Sequence, residues 1–99
     1  MKFEITEEAS LDIENIWEYT LKMWSLEQAD RYYNLLMDEI EFLSINPRLG
    51  KDFSHVKEGY YCSQIKSHLI FYKINSKENI IEIIRILHQR MDIETRLTE

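Results

Sequence analysis

The sequence predicts an α+β fold of two layers, in which an antiparallel helical hairpin packs on an antiparallel β-sheet in the order β-α-α-β-β-β. Residues 67–74 and 80–87 are rich in β-branched and aromatic side chains, and the polar residues 75–79 between them have the composition of a turn. Apolar side chains also recur at spacings of three and four through residues 9–43, which is typical of helices. The helical stripe and the sheet each need a covered face, so they are expected to pack together.

The first strand and the first helix follow one another near the N-terminus. Residues 2–6 alternate apolar and polar side chains, which favours a short half-buried strand. Thr6 is placed to cap a helix whose first turn holds two glutamates. We expect Trp17 and Trp24 to lie in the core between the helices and the sheet. The stripe of this helix consists of Ala9, Ile13, Ile16, Trp17, Thr20 and Trp24.

A capping box separates the first helix from the second. Ser25 stands at the N-cap position and Gln28 three residues later, so a new helix is expected to begin here. The short link makes the two helices antiparallel neighbours, and Pro47 ends the second one. The apolar seam of the second helix consists of Ala29, Tyr33, Leu36, Ile40 and Leu43.

The remaining elements belong to the sheet. Residues 48–58 form a long loop, and residues 59–64 are expected to form a strand before the hairpin. The strand at 80–87 is interrupted only by Glu82 and Arg85, so we expect it to be central and covered on both faces. The polar tail 89–99 has room for one loose helical turn, and residues 1–99 form a single domain.

Composition places the chain among small globular proteins. Hydrophobic residues make up 44% of its 99 residues, and the single Cys62 excludes an internal disulfide and a cysteine-based zinc site. The N-terminus has no apolar segment of the kind that signal peptides contain, and no apolar run reaches membrane-spanning length. We therefore expect a soluble cytoplasmic protein that makes no contact with a membrane.

The net charge of −6 is unevenly placed. Residues 1–58 carry 13 acidic and 6 basic side chains, whereas residues 59–99 carry 5 acidic and 6 basic ones. The N-terminal part would repel a phosphate backbone, so we expect no sequence-specific DNA binding by this chain. The charge distribution does not exclude a small basic site on the C-terminal part.

Two histidines and an arginine are candidates for chemistry. His68 is expected to form a hydrogen bond within the sheet, and His88 to fix the end of the last strand, with a role as general acid as the lesser alternative. The chain offers no converging set of ligands, so no metal and no cofactor are expected. By strand alternation Arg85 shares a face with Ile81 and Ile83. Arg85 either pairs with an acid at a sheet edge or presents a cation on the open face, with equal weight.

Tyrosines are a further set of candidates. Tyr60, Tyr61 and Tyr72 are able to stack on a base or fill a pocket of a partner. Tyrosines in strands are more often packing residues with a solvated hydroxyl, and that alternative is kept.

Two segments carry a resemblance to a known family. The sequences SHLIFY at 67–72 and RILHQRMD at 85–92 closely resemble the C-terminal half of ParE-type toxins of the RelE/ParE superfamily, the toxin halves of bacterial toxin–antitoxin pairs. The resemblance runs from about residue 9 to residue 92 and implies the same β-α-α-β-β-β order. Tyr61 is a departure, because family members commonly have arginine after the Gly-Tyr pair. Weaker matches are Ala9, Asp12-Ile13, Ile16, Tyr19, residues 24–29, Asn46-Pro47, Gly50 and Gly59-Tyr60.

The resemblance implies the toxin of a type II toxin–antitoxin system that inhibits DNA gyrase by direct, non-enzymatic binding. It also implies a cognate antitoxin that docks on the exposed helical seam and the free edge of the sheet. A first alternative is a RelE-like ribosome-dependent mRNA endonuclease that uses Arg85 and His88, with Lys66 as a further cation. A second is a degenerate toxin that only binds antitoxin. The acidic charge favours the gyrase inhibitor, whose target-binding candidates are Tyr60, Tyr61, His68, Arg85, His88, Arg90 and Met91.

Overall fold

The structure, a computed structural model, describes residues 1–98 and confirms the predicted α+β class. It adds a two-residue strand in the long loop, and a short helix lies in the tail where one loose helical turn was expected. No helix in this part of the chain is long and apolar enough to cross a membrane. The elements are β1 (Lys2–Ile5), α1 (Glu7–Met23), α2 (Leu26–Ile45), β2 (Lys51–Asp52), β3 (Tyr60–Ile65), β4 (His68–Asn75), β5 (Ile80–His88) and α3 (Ile93–Thr98).

The five strands form one sheet in the order β1-β5-β4-β3-β2. The pairs β3–β4 and β4–β5 are antiparallel as predicted, and the added β2 is antiparallel to β3. The strand β1, in contrast, runs parallel to β5. Parallel pairing needs a long connection, and here both long helices and three strands lie between β1 and β5. β5 is flanked on both sides as expected, although β1 reaches only as far as Ile83.

Local sequence signals set the element ends. The Thr6 hydroxyl accepts a hydrogen bond from the Ala9 N–H at 3.1 Å, and the Ser25 hydroxyl accepts one from the Gln28 N–H at 3.1 Å. Both predicted N-caps are therefore confirmed. In the β4–β5 turn, Asn79 adopts a positive φ of 57°, which asparagine tolerates better than most residues.

The core has two parts on opposite faces of the sheet. On β4, Ile70 and Tyr72 face the helices, while Phe71 between them belongs to a second cluster with Leu87 and Leu97. The helix α3 therefore covers part of the face that a strict two-layer fold would leave open. The buried residues of the main part are Ala9, Ile13, Leu36, Ile40, Leu43, Ile70, Tyr72, Ile81, Ile83 and Ile86.

Two predicted core positions are wrong. Trp24 is 75% exposed because it caps the C-terminal end of α1, beyond the part of the helix that packs on the sheet. Tyr33 is also exposed, and Tyr32 packs against the core in its place. Spacings of three and four both fit a helical stripe, so the pattern alone does not distinguish these neighbours. Trp17 is half-buried and donates a hydrogen bond from Nε1 to Asp30 Oδ1 at 3.0 Å.

Candidate functional site

The site begins with an ion pair between the first helix and the last strand. Arg85 Nε donates to Asp12 Oδ2 at 2.8 Å, and Arg85 Nη2 donates to Asp12 Oδ1 at 3.1 Å. The Ile86 N–H also donates to Asp12 Oδ2, at 2.9 Å. Both side chains are mostly buried, with 20% of Arg85 and 13% of Asp12 exposed. Of the two interpretations of Arg85, the ion pair at a sheet edge is the one that the structure contains.

A bulge in β5 positions this ion pair. Tyr72 pairs with Ile83 and Phe71 pairs with Arg85, so Ile84 is an extra residue in the β5 strand. The bulge shifts the alternation, and Ile86 returns to the main core beside Ile83. The prediction that Arg85 shares a face with Ile81 and Ile83 is therefore wrong.

The two histidines lie next to this ion pair. His68 and His88 are direct cross-strand partners, and their ring centroids are 5.2 Å apart. Burial, and to a lesser extent the neighbouring His88, lower the pKa of His68 to about 4, and the smaller opposing effect of the Asp12 carboxylate does not cancel them. His68 is therefore neutral at physiological pH and unsuited to act as a general acid.

The hydrogen bonds of the two histidines differ. His68 Nδ1 lies 2.6 Å from the hydroxyl of Tyr32 on α2, so its bond reaches the helical layer and not, as predicted, the sheet. The Tyr32 hydroxyl donates to the Ile65 carbonyl at 3.1 Å. His88 Nδ1 accepts the Arg90 N–H at 3.1 Å, which confirms that His88 fixes the end of the last strand.

These groups line a groove of about 870 Å³, which we call the strand-end groove. It lies between the α1–α2 turn and the open end of the β4–β5 hairpin, where β4 begins and β5 ends. Four of the seven predicted target-binding residues line it, namely His68, Arg85, His88 and Met91. The groove also has residues that the sequence analysis did not propose for target binding. The exposed residues among these include Tyr19, Trp24 and Arg96. The sequence signal that could have indicated this surface is Trp24, an apolar residue at the C-terminal end of the α1 stripe.

The other predicted residues lie elsewhere. Tyr60 is buried in the second cluster, and the exposed Arg90 does not line the groove. Tyr61 stacks on Tyr72 with ring centroids 5.7 Å apart, and its hydroxyl accepts a hydrogen bond from Arg48 Nη1 at 3.3 Å.

Tyr72 departs from the expected packing tyrosine with a solvated hydroxyl. Its side chain is fully buried, and the hydroxyl donates to the Pro47 carbonyl at 2.8 Å and accepts the Gly50 N–H at 3.0 Å. Within residues 1–98, no three His, Cys, Asp or Glu side chains are grouped so as to hold a metal ion.

Comparisons with known proteins give one consistent family. Residues 3–93 match the family described as ParE toxin of type II toxin-antitoxin system, parDE. The chain is 32% identical over 96 residues to Toxin ParE1 of Mycobacterium tuberculosis, covering 97% of each chain. It is 32% identical over 95 residues to Toxin ParE1 of Caulobacter vibrioides, covering 96% of each. It is 30% identical over 95 residues to Toxin ParE of Escherichia coli, covering 96% of this chain and 91% of that one.

A solved structure supports the same fold. A chain titled "Chromosomal ParDE TA system from P. aeruginosa" superposes with a TM-score of 0.75 at 16% identity, covering 89% of this chain and 95% of that one. The family match over nearly the whole chain confirms the resemblance carried by residues 67–72 and 85–92. The chain belongs to the ParE toxin family of type II toxin–antitoxin systems.

Proposed function

We propose that this ParE-family toxin inhibits DNA gyrase by direct binding, without catalysing a reaction, and that a cognate antitoxin protein neutralises it. The main observation against a nuclease is that Arg85 is paired with a carboxylate. Both of its hydrogen bonds described above go to the carboxylate of Asp12.

An mRNA endonuclease needs cations and a proton donor around the scissile phosphate, because charge develops there in the transition state. Asp12 beside Arg85 would repel a phosphate, and His68 is neutral with its pKa near 4. Lys66 is exposed in the β3–β4 turn, and it does not line the strand-end groove. These groups do not form a phosphate site, which supports a toxin that acts by binding.

The strand-end groove has the composition of a protein-binding surface. Interface energy concentrates in a few aromatic and arginine anchors, often in a concave patch. Tyr19, Trp24 and Met91 are exposed large apolar side chains on this groove, and Arg96 lies beside them. We therefore place the gyrase contact here.

A supercoiling assay with purified toxin tests the proposal, run beside an assay of mRNA cleavage on ribosomes. We expect inhibition of supercoiling and no cleavage. Trp24→Ala should raise the half-inhibitory concentration by about tenfold or more, equivalent to roughly 1.4 kcal/mol, with full inhibition restored by more protein. Phe42→Ala is the matched control, because Phe42 is an exposed aromatic residue outside the groove.

The arginines need separate treatment in the same assay. Arg90 lies outside the groove but directly precedes its lining residue Met91, so Arg90→Ala should weaken inhibition only modestly, as loss of a rim contact does. The substitution should not affect folding, because Arg90 is exposed. Arg85→Ala removes the ion pair with Asp12, so its effect on gyrase must be corrected for the folded fraction. Ribosomal A-site cleavage that disappears in His88→Ala, with gyrase unaffected throughout, would instead assign the protein to the RelE-like nucleases.

Neutralisation is tested by co-expression with the product of the adjacent open reading frame. We expect the two proteins to copurify and the complex to leave gyrase active. A complex that forms although the free toxin neither inhibits gyrase nor cleaves mRNA would support the degenerate-toxin alternative, in which Tyr61 replaces the usual arginine. Failure to copurify in any ratio would contradict the toxin–antitoxin proposal.

A further inference from the structure

The strand-end groove differs in charge from the rest of the chain. Its charged lining consists of one carboxylate, Asp12, and two guanidinium groups, Arg85 and Arg96. The chain as a whole carries a net charge of −6, and residues 7–45, which contain both long helices, carry ten acidic and two basic side chains. A partner that enters this groove therefore meets a local excess of positive charge within an acidic surface.

The Asp12 carboxylate does not cancel this excess. Its Oδ2 accepts the Arg85 Nε–H and the Ile86 N–H, and its Oδ1 accepts from Arg85 Nη2. Asp12 and Arg85 therefore neutralise each other as a mostly buried pair. The charge that is left over on the described lining is that of Arg96.

Arg96 is placed to receive a charge from another molecule. It is exposed, and it forms no ion pair with any other residue in the range 1–98. Hydrogen bonds from Thr95, and to a smaller extent the charge of Arg96, lower the pKa of the nearby Asp92. Asp92 is exposed and both of its oxygens accept from Thr95, so its charge is screened by water and does not occupy the Arg96 guanidinium.

Several polar groups of the groove are hydrogen-bond donors. The indole of Trp24, which is 75% exposed, and the guanidinium of Arg96 can only donate. The Nδ1 atom of His88 accepts the Arg90 N–H, so the other ring nitrogen of a neutral His88 carries the proton and donates. Such a surface is complementary to an ionised group that only accepts hydrogen bonds, which is a carboxylate or a phosphate.

The surroundings of the groove decide between these two groups. A DNA backbone brings a row of phosphates, about one charge for every 1.7 Å of duplex, and the acidic helices would repel it. A protein segment can instead bring a single carboxylate together with an apolar side chain. The exposed Tyr19, Trp24 and Met91 on the groove offer the apolar contact that such a segment needs.

We infer that the strand-end groove binds a segment of the gyrase protein and not its DNA. A carboxylate side chain of this segment pairs with Arg96, and a neighbouring apolar side chain packs on Trp24 and Tyr19. The inference rests on the proposed function and adds to it the chemistry of the bound segment. Arg96 then determines specificity, and the toxin binds gyrase without DNA.

The test measures the dissociation constant of the toxin for purified gyrase in the absence of DNA. Arg96→Glu reverses the charge at the groove, whereas Lys77→Glu makes the same change at an exposed residue in the β4–β5 turn, outside the groove. We expect the dissociation constant to rise about tenfold or more in Arg96→Glu and by less than about threefold in Lys77→Glu. Arg96→Lys keeps the charge and should weaken binding less than Arg96→Glu does. Urea denaturation checks that each variant is folded.

Salt dependence supplies a second measurement on the wild-type toxin. A contact based on one ion pair should weaken by less than about tenfold between about 50 and 200 mM salt, whereas 6–10 phosphate contacts would lose about 10³–10⁵ in affinity. Equal binding by Arg96→Glu and Lys77→Glu overturns the inference while the proposed function stands. Binding that needs DNA and has the steep salt dependence does the same and assigns the groove to phosphates. A wild-type toxin that neither binds nor inhibits gyrase overturns both.

Discussion

Asp12 and Arg85 form a two-point ion pair although they are 73 positions apart in the chain. The same carboxylate accepts the Ile86 N–H at the part of β5 that β1 does not reach. One aspartate therefore connects the first helix to the last strand and satisfies an edge amide of the sheet.

Asp12→Ala should lower the free energy of unfolding by roughly 2–4 kcal/mol, because the substitution removes the carboxylate that accepts from both the mostly buried Arg85 guanidinium and the Ile86 N–H. Urea denaturation of the purified toxin measures this change. Glu27→Ala is the control: it removes the ion pair with Arg31, whose side chains are largely exposed, and should cost no more than about 1 kcal/mol. Equal losses in the two variants would contradict the structural role of Asp12.

Leu36→Ala should cost roughly 2–5 kcal/mol of unfolding free energy, because Leu36 is 1% exposed and its truncation leaves a cavity between α2 and the sheet. Its neighbour Leu35 is 37% exposed, so Leu35→Ala should cost about 1 kcal/mol or less. The comparison is again made by urea denaturation. A Leu35 effect as large as that of Leu36 would contradict the packing of the helical hairpin.

Acid should destabilise the toxin through His68. Its folded pKa of about 4 lies below the ordinary value of 6.5, so between these two pH values the unfolded chain binds more protons than the folded one. The stabilisation is complete above pH 6.5 and is lost as the pH falls toward 4. His68→Asn keeps a hydrogen-bonding group near Tyr32 but removes the titration, so the unfolding free energy should depend less on pH in this window.

Two measurements check the His68 prediction. The imidazole chemical shifts of His68 should stay constant between about pH 8 and pH 5, since a neutral ring does not titrate there. The second measurement compares the pH dependence of the unfolding free energy between the wild type and His68→Asn. A normal titration of His68 near its ordinary pKa would show that the ring is not buried as described.

Cys62 should react slowly with a thiol reagent in the folded toxin. The side chain is buried, and burial raises the pKa of its thiol to about 11, so the thiolate is scarce at neutral pH. The rate in urea is the reference for full exposure. Reaction at the same rate with and without urea would contradict the second cluster around Phe71 and Leu87.

Gly50→Ala should destabilise the toxin, because a Cβ at this position would lie 2.9 Å from Tyr72 Cε1 and collide with the hydroxyl as well. The buried Tyr72 ring has little freedom to move, and the hydrogen bond from the Gly50 N–H to its hydroxyl would be disturbed. Tyr72→Phe separates the two effects, since it removes the hydroxyl and should cost roughly 1–3 kcal/mol of unfolding free energy. Thermal unfolding of both variants measures the outcome.

Local signals were sufficient for most of the fold. The starts of both long helices were predictable from Thr6 and Ser25, because an N-cap side chain bonds to a backbone N–H only two or three residues away. The hairpin turn was predictable from residues such as Asn79, because turn conformation depends on neighbouring residues. The bulge at Ile84 and the parallel direction of β1 depend on contacts between distant segments, and no short pattern encodes them. Trp24 was misplaced because an apolar residue at helical spacing fits a buried core and an exposed binding groove equally well.

Part of the candidate site could also be predicted from local sequence signals. The predicted hairpin turn brings together the two segments that contain His68, Arg85, His88 and Met91, so these residues were expected to lie close to one another. Asp12 joins them only through the packing of α1 on β5. Its sequence context does not distinguish it from the other acidic residues of α1, so its role could not be predicted. The burial that keeps His68 neutral likewise depends on Tyr32 of α2.

The pairing of β1 with β5 has a consequence for synthesis. Residues 2–5 leave the ribosome long before their partners at residues 80–83. The main core, which contains Ile81 and Ile83, therefore closes only after residue 83 has left the exit tunnel. A nascent or prematurely terminated copy that lacks residues 80–83 cannot complete this sheet.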